Sequence, residues 1–186
     1  KINNKAMGMN INGGMAEKIL VPEHCLIELD PKVPIKDACL VEPLAVALHG
    51  LMHTQTKDHH RIAVIGGGTI GLCAVVAANF IGCEVDLYAK YDHQVEAGQI
   101  FGAGELNGKY DRVVDCVGND ETLDLSAKTA KPGPWIVLLG IPTKGINLPG
   151  LRIIMNEIKI FPSIMYSSIN GVKDFTVAAK VLSQYP

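Results

Sequence analysis

Apolar and polar positions along this chain change their period several times, and each change marks an element. Ile62-Ala-Val-Ile65 is a short unbroken apolar run that ends in Gly66-Gly-Gly68-Thr-Ile-Gly71. Residues 62–81 are mostly apolar, but four glycines and Asn79 interrupt them, so they predict a strand followed by a buried helix and not a membrane span. The same alternation continues: helix over 69–81, strand 83–89, helix 93–101, strand 111–117, helix 120–130 and strand 135–140. A Gly/Pro-rich loop from Ile141 to Gly150 leads to a further strand over 157–164 and a last helix over 172–183. Strands alternating with helices at this spacing predict an α/β fold with a parallel sheet covered on both faces.

Upstream of that series, Pro43 to His53 predicts a helix. Proline suits its first turn, and Leu44, Ala47, Leu48 and Leu51 make one apolar face. Residues 16–21 and 25–29 read as two short strands around Pro22-Glu-His24. Two strands alone are marginal in water, and the rest of their sheet is not evident. The division expected is therefore residues 1–42 as a remnant of a β-rich domain and 43–186 as the α/β domain with its connecting helix.

The junction at Gly66-x-Gly68-x-x-Gly71 carries the first chemistry. One glycine permits a tight turn, the next lets backbone approach a pyrophosphate, and the third lets the helix sit close on the strand. Free N–H groups and the positive dipole end of the helix then hold the phosphates. Dinucleotide domains commonly place Asp or Glu at the end of the second strand for the adenosine ribose. Here that end reads Leu87-Tyr-Ala89-Lys90-Tyr91, with no acid. A small residue followed by a cation suits a 2′-phosphate and favours NADP(H) over NAD(H), although Asp92 lies close enough to keep NAD open.

Composition narrows the class. Apolar residues make up 48% of the chain and the formal net charge is −2, so nothing basic points to nucleic acid. The five cysteines, Cys25, Cys39, Cys73, Cys83 and Cys116, include no C-x-x-C pair and predict buried thiols in a reducing cytoplasm. Lys1-Ile-Asn-Asn-Lys-Ala6 is not a signal peptide.

Two polar groups remain to be placed. Glu42 precedes Pro43 at the predicted helix start, where an acid stabilises the dipole. His49 and His53, four apart, share a helix face and could pair on a metal. No H-E-x-x-H pattern accompanies them, so a packing or surface role is expected.

Taken together, Gly13-Gly-Met-Ala-Glu17-Lys-Ile-Leu-Val-Pro22, Val41-Glu42-Pro-Leu-Ala-Val-Ala-Leu-His49 and Ile65-Gly-Gly-Gly-Thr-Ile-Gly-Leu72 occur in a recognisable order. They resemble the zinc-dependent medium-chain alcohol dehydrogenases, especially the sorbitol and threonine dehydrogenase branch. Tyr110-Asp-Arg-Val-Val-Asp115-Cys-Val-Gly118, Trp135-Ile-Val-Leu-Leu-Gly140 and Glu157-Ile-Lys-Ile-Phe-Pro-Ser-Ile-Met-Tyr166 resemble that family's fourth, fifth and sixth cofactor-domain strands.

The resemblance implies a Rossmann doubly wound sheet with a remnant of the catalytic domain, and reversible hydride transfer between an alcohol and NAD(P). It implies cofactor contacts from Gly66, Gly68, Thr69, Ile70, Gly71, Lys90, Val117, Gly118, Gly140, Ile141 and Met165. A cation usual in polyol dehydrogenases at the Met165 position is missing, which weakens a polyol substrate. Glu42 matches a catalytic zinc ligand, while the family's earlier Cys and Gly-His-Glu motifs and its four-cysteine lobe are not found in these residues. One carboxylate does not retain zinc. The polypeptide alone is therefore expected to bind cofactor without turning over a small alcohol or carbonyl substrate. Also implied is a homodimer or homotetramer formed through residues 157–164. The alternatives are a non-catalytic nucleotide-binding module, redox-sensing or structural, and a methyltransferase. An acid would be usual at the Ala89 position of a methyltransferase.

Overall fold

A computed structural model describes residues 7–185; residues 1–6, which open the expected remnant, and Pro186 lie outside the described residues. From residue 41 onward the chain runs α1 (Val41–His53), β1 (Arg61–Ile65), α2 (Thr69–Ile81), β2 (Glu84–Tyr88), α3 (Asp92–Ile100), β3 (Gly104–Glu105) and β4 (Tyr110–Asp115). It continues through α4 (Asp120–Thr129), β5 (Ala130–Leu138), α5 (Gly150–Met155), β6 (Lys159–Pro162), β7 (Ser168–Ile169), β8 (Val172–Lys173) and α6 (Asp174–Leu182). Six strands form one sheet in the order β3-β2-β1-β4-β5-β6, every neighbouring pair parallel. The order reverses between β1 and β4, which places a crevice at their C-terminal ends.

Burial explains why these strands are apolar throughout. Ile62 and Val64 pack on the α1, α2 and α6 side of the sheet, whereas Ala63 and Ile65 face the other side, with Tyr110 and Ala127. Successive side chains of a strand point to opposite faces, so a strand covered on both sides loses its polar positions. The predicted face of α1 is buried as Leu44, Ala47, Leu48 and Leu51. Burying each leucine contributes about 1.5–3 kcal/mol as an upper bound. A first-turn acid adds only about 0.3–1 kcal/mol. The helix therefore does not depend on Glu42.

Several expectations are corrected. Residues 16–21 and 25–29 form no strands; residues 14–17 bend, and Glu23–Cys25 and Ile35–Leu40 are 3-10 turns. Leu20 is 96% exposed. Among the described residues no strand runs alongside to take up the N–H and C=O groups that a ladder requires. β5 begins at Ala130, earlier than expected, because Tyr110 pairs with Ala130 before the register jumps to Arg112 with Trp135. The skipped residues include Pro132 and Pro134, which donate no hydrogen bond to a ladder. Helix α5 and β7 lie where no element was expected, and β8 takes the first two residues of the expected last helix, which begins at Asp174. The β7–β8 hairpin turns through Asn170 and Gly171, both at positive φ, as a two-residue turn of the primed type demands.

The thiols also depart from expectation. All five are free, but only Cys83 is buried, with Cys73 and Cys116 half-buried and Cys25 and Cys39 exposed. Burial pushes the Cys73 and Cys83 thiols up to about 11, which suits inert packing groups. Among the described residues no helix is long and apolar enough to cross a membrane.

The two helix histidines pack, as expected. His49 Nδ1 lies 2.7 Å from Asp174 Oδ2, joining α1 to the first residue of α6, and the His53 ring stacks on Phe161.

Candidate functional site

The crevice is built from the ends of four strands. At the end of β1, Gly66 turns at φ +103°, and its N–H donates to Tyr88 O of β2 at 2.7 Å. On the other side, Cys116 N–H donates to Ile65 O at 2.9 Å, so the turn is held between β2 and β4. Helix α2 starts at once, with Gly68 as its N-cap. A Cβ on Gly71 would run into Gly66 O, so the third glycine lets the helix lie against the turn.

Gly68 differs: a Cβ there would meet nothing within 4 Å. A side chain there would enter open space at the start of α2, whose first N–H groups have no acceptor within the helix. α2 has no acidic residue in its first turn and no side-chain cap, whereas α3, α4 and α6 each begin with Asp. The dipole end of α2 is therefore not neutralised by its own residues. An oxyanion such as a pyrophosphate fits this cradle.

The far wall comes from β4 and β5. The Asp115 side chain is fully buried, and its Oδ1 accepts from Val117 N and Gly118 N, each at 2.9 Å. Burial pushes its carboxyl above the usual range, and these two backbone bonds pull the other way. Asp115 O accepts from Leu139 N and Gly140 N at 2.9 Å, so one residue fixes both strand ends. A Cβ on Gly118 would stand 2.7 Å from Gly140 O, which shows how closely the two ends approach. Farther out, Asp120 at the start of α4 accepts from Asn147 N and Asn147 Nδ2 at 2.8 and 2.7 Å, tying down the 141–150 loop. Those bonds hold the Asp120 carboxyl below its ordinary value.

Two cavities follow these ends and share Ile141 and Pro142. One, of about 610 Å³, is lined by Glu42, Ile70, Gly140, Ile141 and Met165 among others. The other, of about 550 Å³, is lined by Val117, Gly118, Asn119, Asp120 and Ile141 among others. Seven residues expected to serve cofactor or metal thus come together from α1, α2 and the segments after β4, β5 and β6. Met165 sits at φ +59°, a conformation costly for a residue with a side chain and one that recurs at functional sites. Thr69 instead lines a separate apolar cavity of about 300 Å³ with Leu72, Cys73 and Tyr185. Lys90 stands outside all three, exposed at the end of β2 with its ammonium 5.7 Å from the Tyr91 ring centre.

Two contributors escaped the sequence reading. Asp115 shapes the Val117–Gly118 turn, and its signal was an acid closing an apolar strand next to the switch point. Gln94 of α3 lies against the glycine turn, its Cβ 2.8 Å from where a Cβ on Gly67 would stand. No spacing in the sequence announces that contact.

A zinc ion does not fit the residues present. Among the described residues no group of three His, Cys, Asp or Glu side chains comes together to hold a metal, and Glu42 is the sole residue of those types lining its cavity. Zinc takes three or four such ligands.

Comparison with known proteins agrees with this geometry. Residues 103–184 match the family model described as zinc-binding dehydrogenase. An uncharacterized zinc-type alcohol dehydrogenase-like protein of Haemophilus influenzae is 45% identical over 176 residues, covering 86% of this chain and 52% of the relative. The crystal structure of galactitol-1-phosphate dehydrogenase from Escherichia coli superposes with a TM-score of 0.86 at 23% identity, covering 96% of this chain and 58% of the other. A zinc-binding dehydrogenase structure from Sinorhizobium meliloti 1021, bound to NADP, has a TM-score of 0.83 at 25% identity, covering 97% and 58%. The chain spans about half the length of the curated relatives it matches. With its Rossmann-like sheet, its glycine turn at the switch point and these matches, the chain is a homologue of proteins named zinc-type alcohol dehydrogenase and sorbitol dehydrogenase and corresponds to about half of their length.

Proposed function

We propose that this chain binds a nicotinamide dinucleotide across the crevice and serves reversible hydride transfer between a small alcohol and its carbonyl product. The observation that carries this reading is the glycine turn: open space at Gly68, the N-cap of an α2 with no acid in its first turn, at the reversal of strand order. The bound nicotinamide would supply hydride donation and acceptance at C4. This chain's own residues would bind and orient it. Backbone N–H groups from Gly68 to Gly71 take the pyrophosphate, Val117 and Gly118 line one half of the cleft, and Gly140, Ile141 and Met165 line the other. Ile70, Ile141 and Met165 make the nicotinamide half apolar and so exclude water from the transfer. Glu42 lines that cavity, and as a zinc ligand it would need partners beyond the described residues.

The cofactor favoured is NADP(H). Ala89 packs against Gly67, where a Cβ on the glycine would stand 2.7 Å from Ala89 Cβ, and Lys90 follows as an exposed cation. Ala89→Asp is expected to cut NADPH affinity about tenfold or more, equal to about 1.4 kcal/mol, and to shift preference toward NADH. Titration of the wild type and of this variant with NADPH and NADH, followed by energy transfer from Trp135 and by calorimetry, checks this. An unchanged affinity ratio would remove the specificity argument, and binding of neither nucleotide by the wild type would remove the dinucleotide reading.

Residues 1–42 are assigned to the catalytic domain and 43–186 to the cofactor domain, in a cytoplasmic protein. β6 lies at the edge of the sheet, with a row of backbone groups open to pairing. A second copy placed two-fold across that edge would continue the sheet. Light scattering behind size exclusion should give a dimer or tetramer, and a clean monomer would refute the pairing for this chain.

A further inference from the structure

Asp174 opens α6 and is fully buried, a costly place for a carboxylate. Complementing the helix dipole does not require that burial, since an exposed acid in the first turn serves as well. Its contacts give the reason. Asp174 Oδ2 accepts from Ser167 N at 2.7 Å and lies 2.7 Å from His49 Nδ1 of α1, while Asp174 N–H donates to Ser167 O at 3.0 Å. Asp174 Oδ1, also buried, has no hydrogen-bond partner among the described residues. One oxygen therefore joins α1 to the segment after β6. That segment bears Met165, which lines the Glu42 cavity at φ +59°. We propose that Asp174 is a positioning residue of the nicotinamide half: it pins the Met165 turn against α1, so that Glu42 and Met165 wall one cleft. This rests on the dinucleotide reading above.

A residue with a side chain at positive φ persists only where its surroundings hold it there. Two ties bracket Met165. Ser163 N donates to Leu138 O at 3.0 Å, fixing the near end of the turn to β5, and the bond from Ser167 N to Asp174 fixes the far end. Tyr166, between Met165 and Ser167, meets the ring of Phe175, the residue after Asp174, edge-on at 4.3 Å. The α1 side is seated as firmly. His49 follows Glu42 by about two helical turns, so both project to one side of α1. The His49 ring lies 4.2 Å from that of His53, which stacks on Phe161 of β6 at 5.9 Å. Deleting the carboxylate frees the far end of the turn and leaves Ser167 N–H and His49 Nδ1 without their acceptor. The glycine cradle draws on none of these bonds.

NADPH and 2′-phospho-ADP-ribose, the same molecule without its nicotinamide ring, separate the two halves of the cleft. Their dissociation constants are measured by calorimetry for the wild type, Asp174→Ala and Asp174→Asn, beside a thermal melt of each. Asp174→Ala should bind NADPH about tenfold more weakly, the size of one lost contact, and the ringless analogue within about twofold of the wild type. Asp174→Asn keeps an oxygen able to accept both bonds and should restore NADPH affinity. It should still melt lower, because its amide N–H groups are buried without acceptors. A residue serving stability alone would lower the melt and leave the ratio of the two affinities unchanged. Should Asp174→Ala not fold, His49→Ala removes the α1 side of the clamp and should shift the same ratio about threefold. An unmoved ratio in the folded variant, an equal shift in Asp174→Asn, or a wild type that binds NADPH no tighter than the analogue overturns the positioning role and leaves the dinucleotide reading intact. A wild type that binds neither compound overturns that reading, and the positioning role with it.

Discussion

Gly68→Val is expected to weaken both NADPH and NADH about 100-fold or more while the protein stays folded. The backbone at Gly68, φ −74° and ψ −174°, is open to any residue, and a Cβ there meets nothing within 4 Å. The folded chain therefore accommodates valine without a clash. Its cost to stability is that of a poorer helix N-cap, about 1 kcal/mol, or roughly 2–4 °C in melting temperature for a chain of this size. The bound state is another matter. The branched side chain occupies the space beside the first N–H groups of α2 and holds a pyrophosphate away from them. A 100-fold loss corresponds to about 2.8 kcal/mol, within what several charge-assisted hydrogen bonds supply. Calorimetric titration beside a thermal melt reads both quantities, and wild-type affinity in this variant would place the phosphates elsewhere.

At Gly71, three residues on, a smaller change should do the opposite. Gly71→Ala directs a methyl group into Gly66 O, a backbone atom held by the hydrogen bond from Gly66 N to Tyr88 O. Neither partner is the flexible end of a side chain, so α2 must shift off the sheet and disturb packing of its buried Ala74, Val75 and Ala78. Overpacking of this kind costs about 3 kcal/mol, or about 6–12 °C in melting temperature. Urea unfolding should show the loss in the midpoint at constant slope. A variant that melts like the wild type would mean that the helix does not need its close seat on the turn. The pair separates two jobs inside one motif: Gly68 leaves room for a ligand, and Gly71 leaves room for the protein itself.

The αβ series was legible because its determinants are local. Strand β1 and helix α2 fall where the apolar run and the glycines place them, and the end of β2 lies within one residue of its expected position. Doubly covered strands advertise themselves by lacking polar alternation, as Ile62 to Ile65 do. The same signal misled at residues 16–29, since apolar residues there say nothing about whether a partner strand stands beside them. The Asn170-Gly171 turn, by contrast, carried a plain hairpin signal in two residues, and β7 and β8 flank it.

From its sequence alone this protein's cofactor chemistry and parallel sheet could be inferred, because a strand, a glycine turn and a helix are set by neighbours a few residues apart. The tertiary structure decided what converges from far along the chain. Glu42 meets Met165 in one cavity only after α1 packs beneath the ends of β5 and β6. Asp115 comes to fix the cleft wall only when burial removes competing water and leaves its Oδ1 and carbonyl oxygen to backbone N–H groups. Gln94 comes beside Gly67 only where α3 leans on the glycine turn. Such contacts depend on how whole elements pack, and packing is a property of summed surfaces that no local spacing encodes.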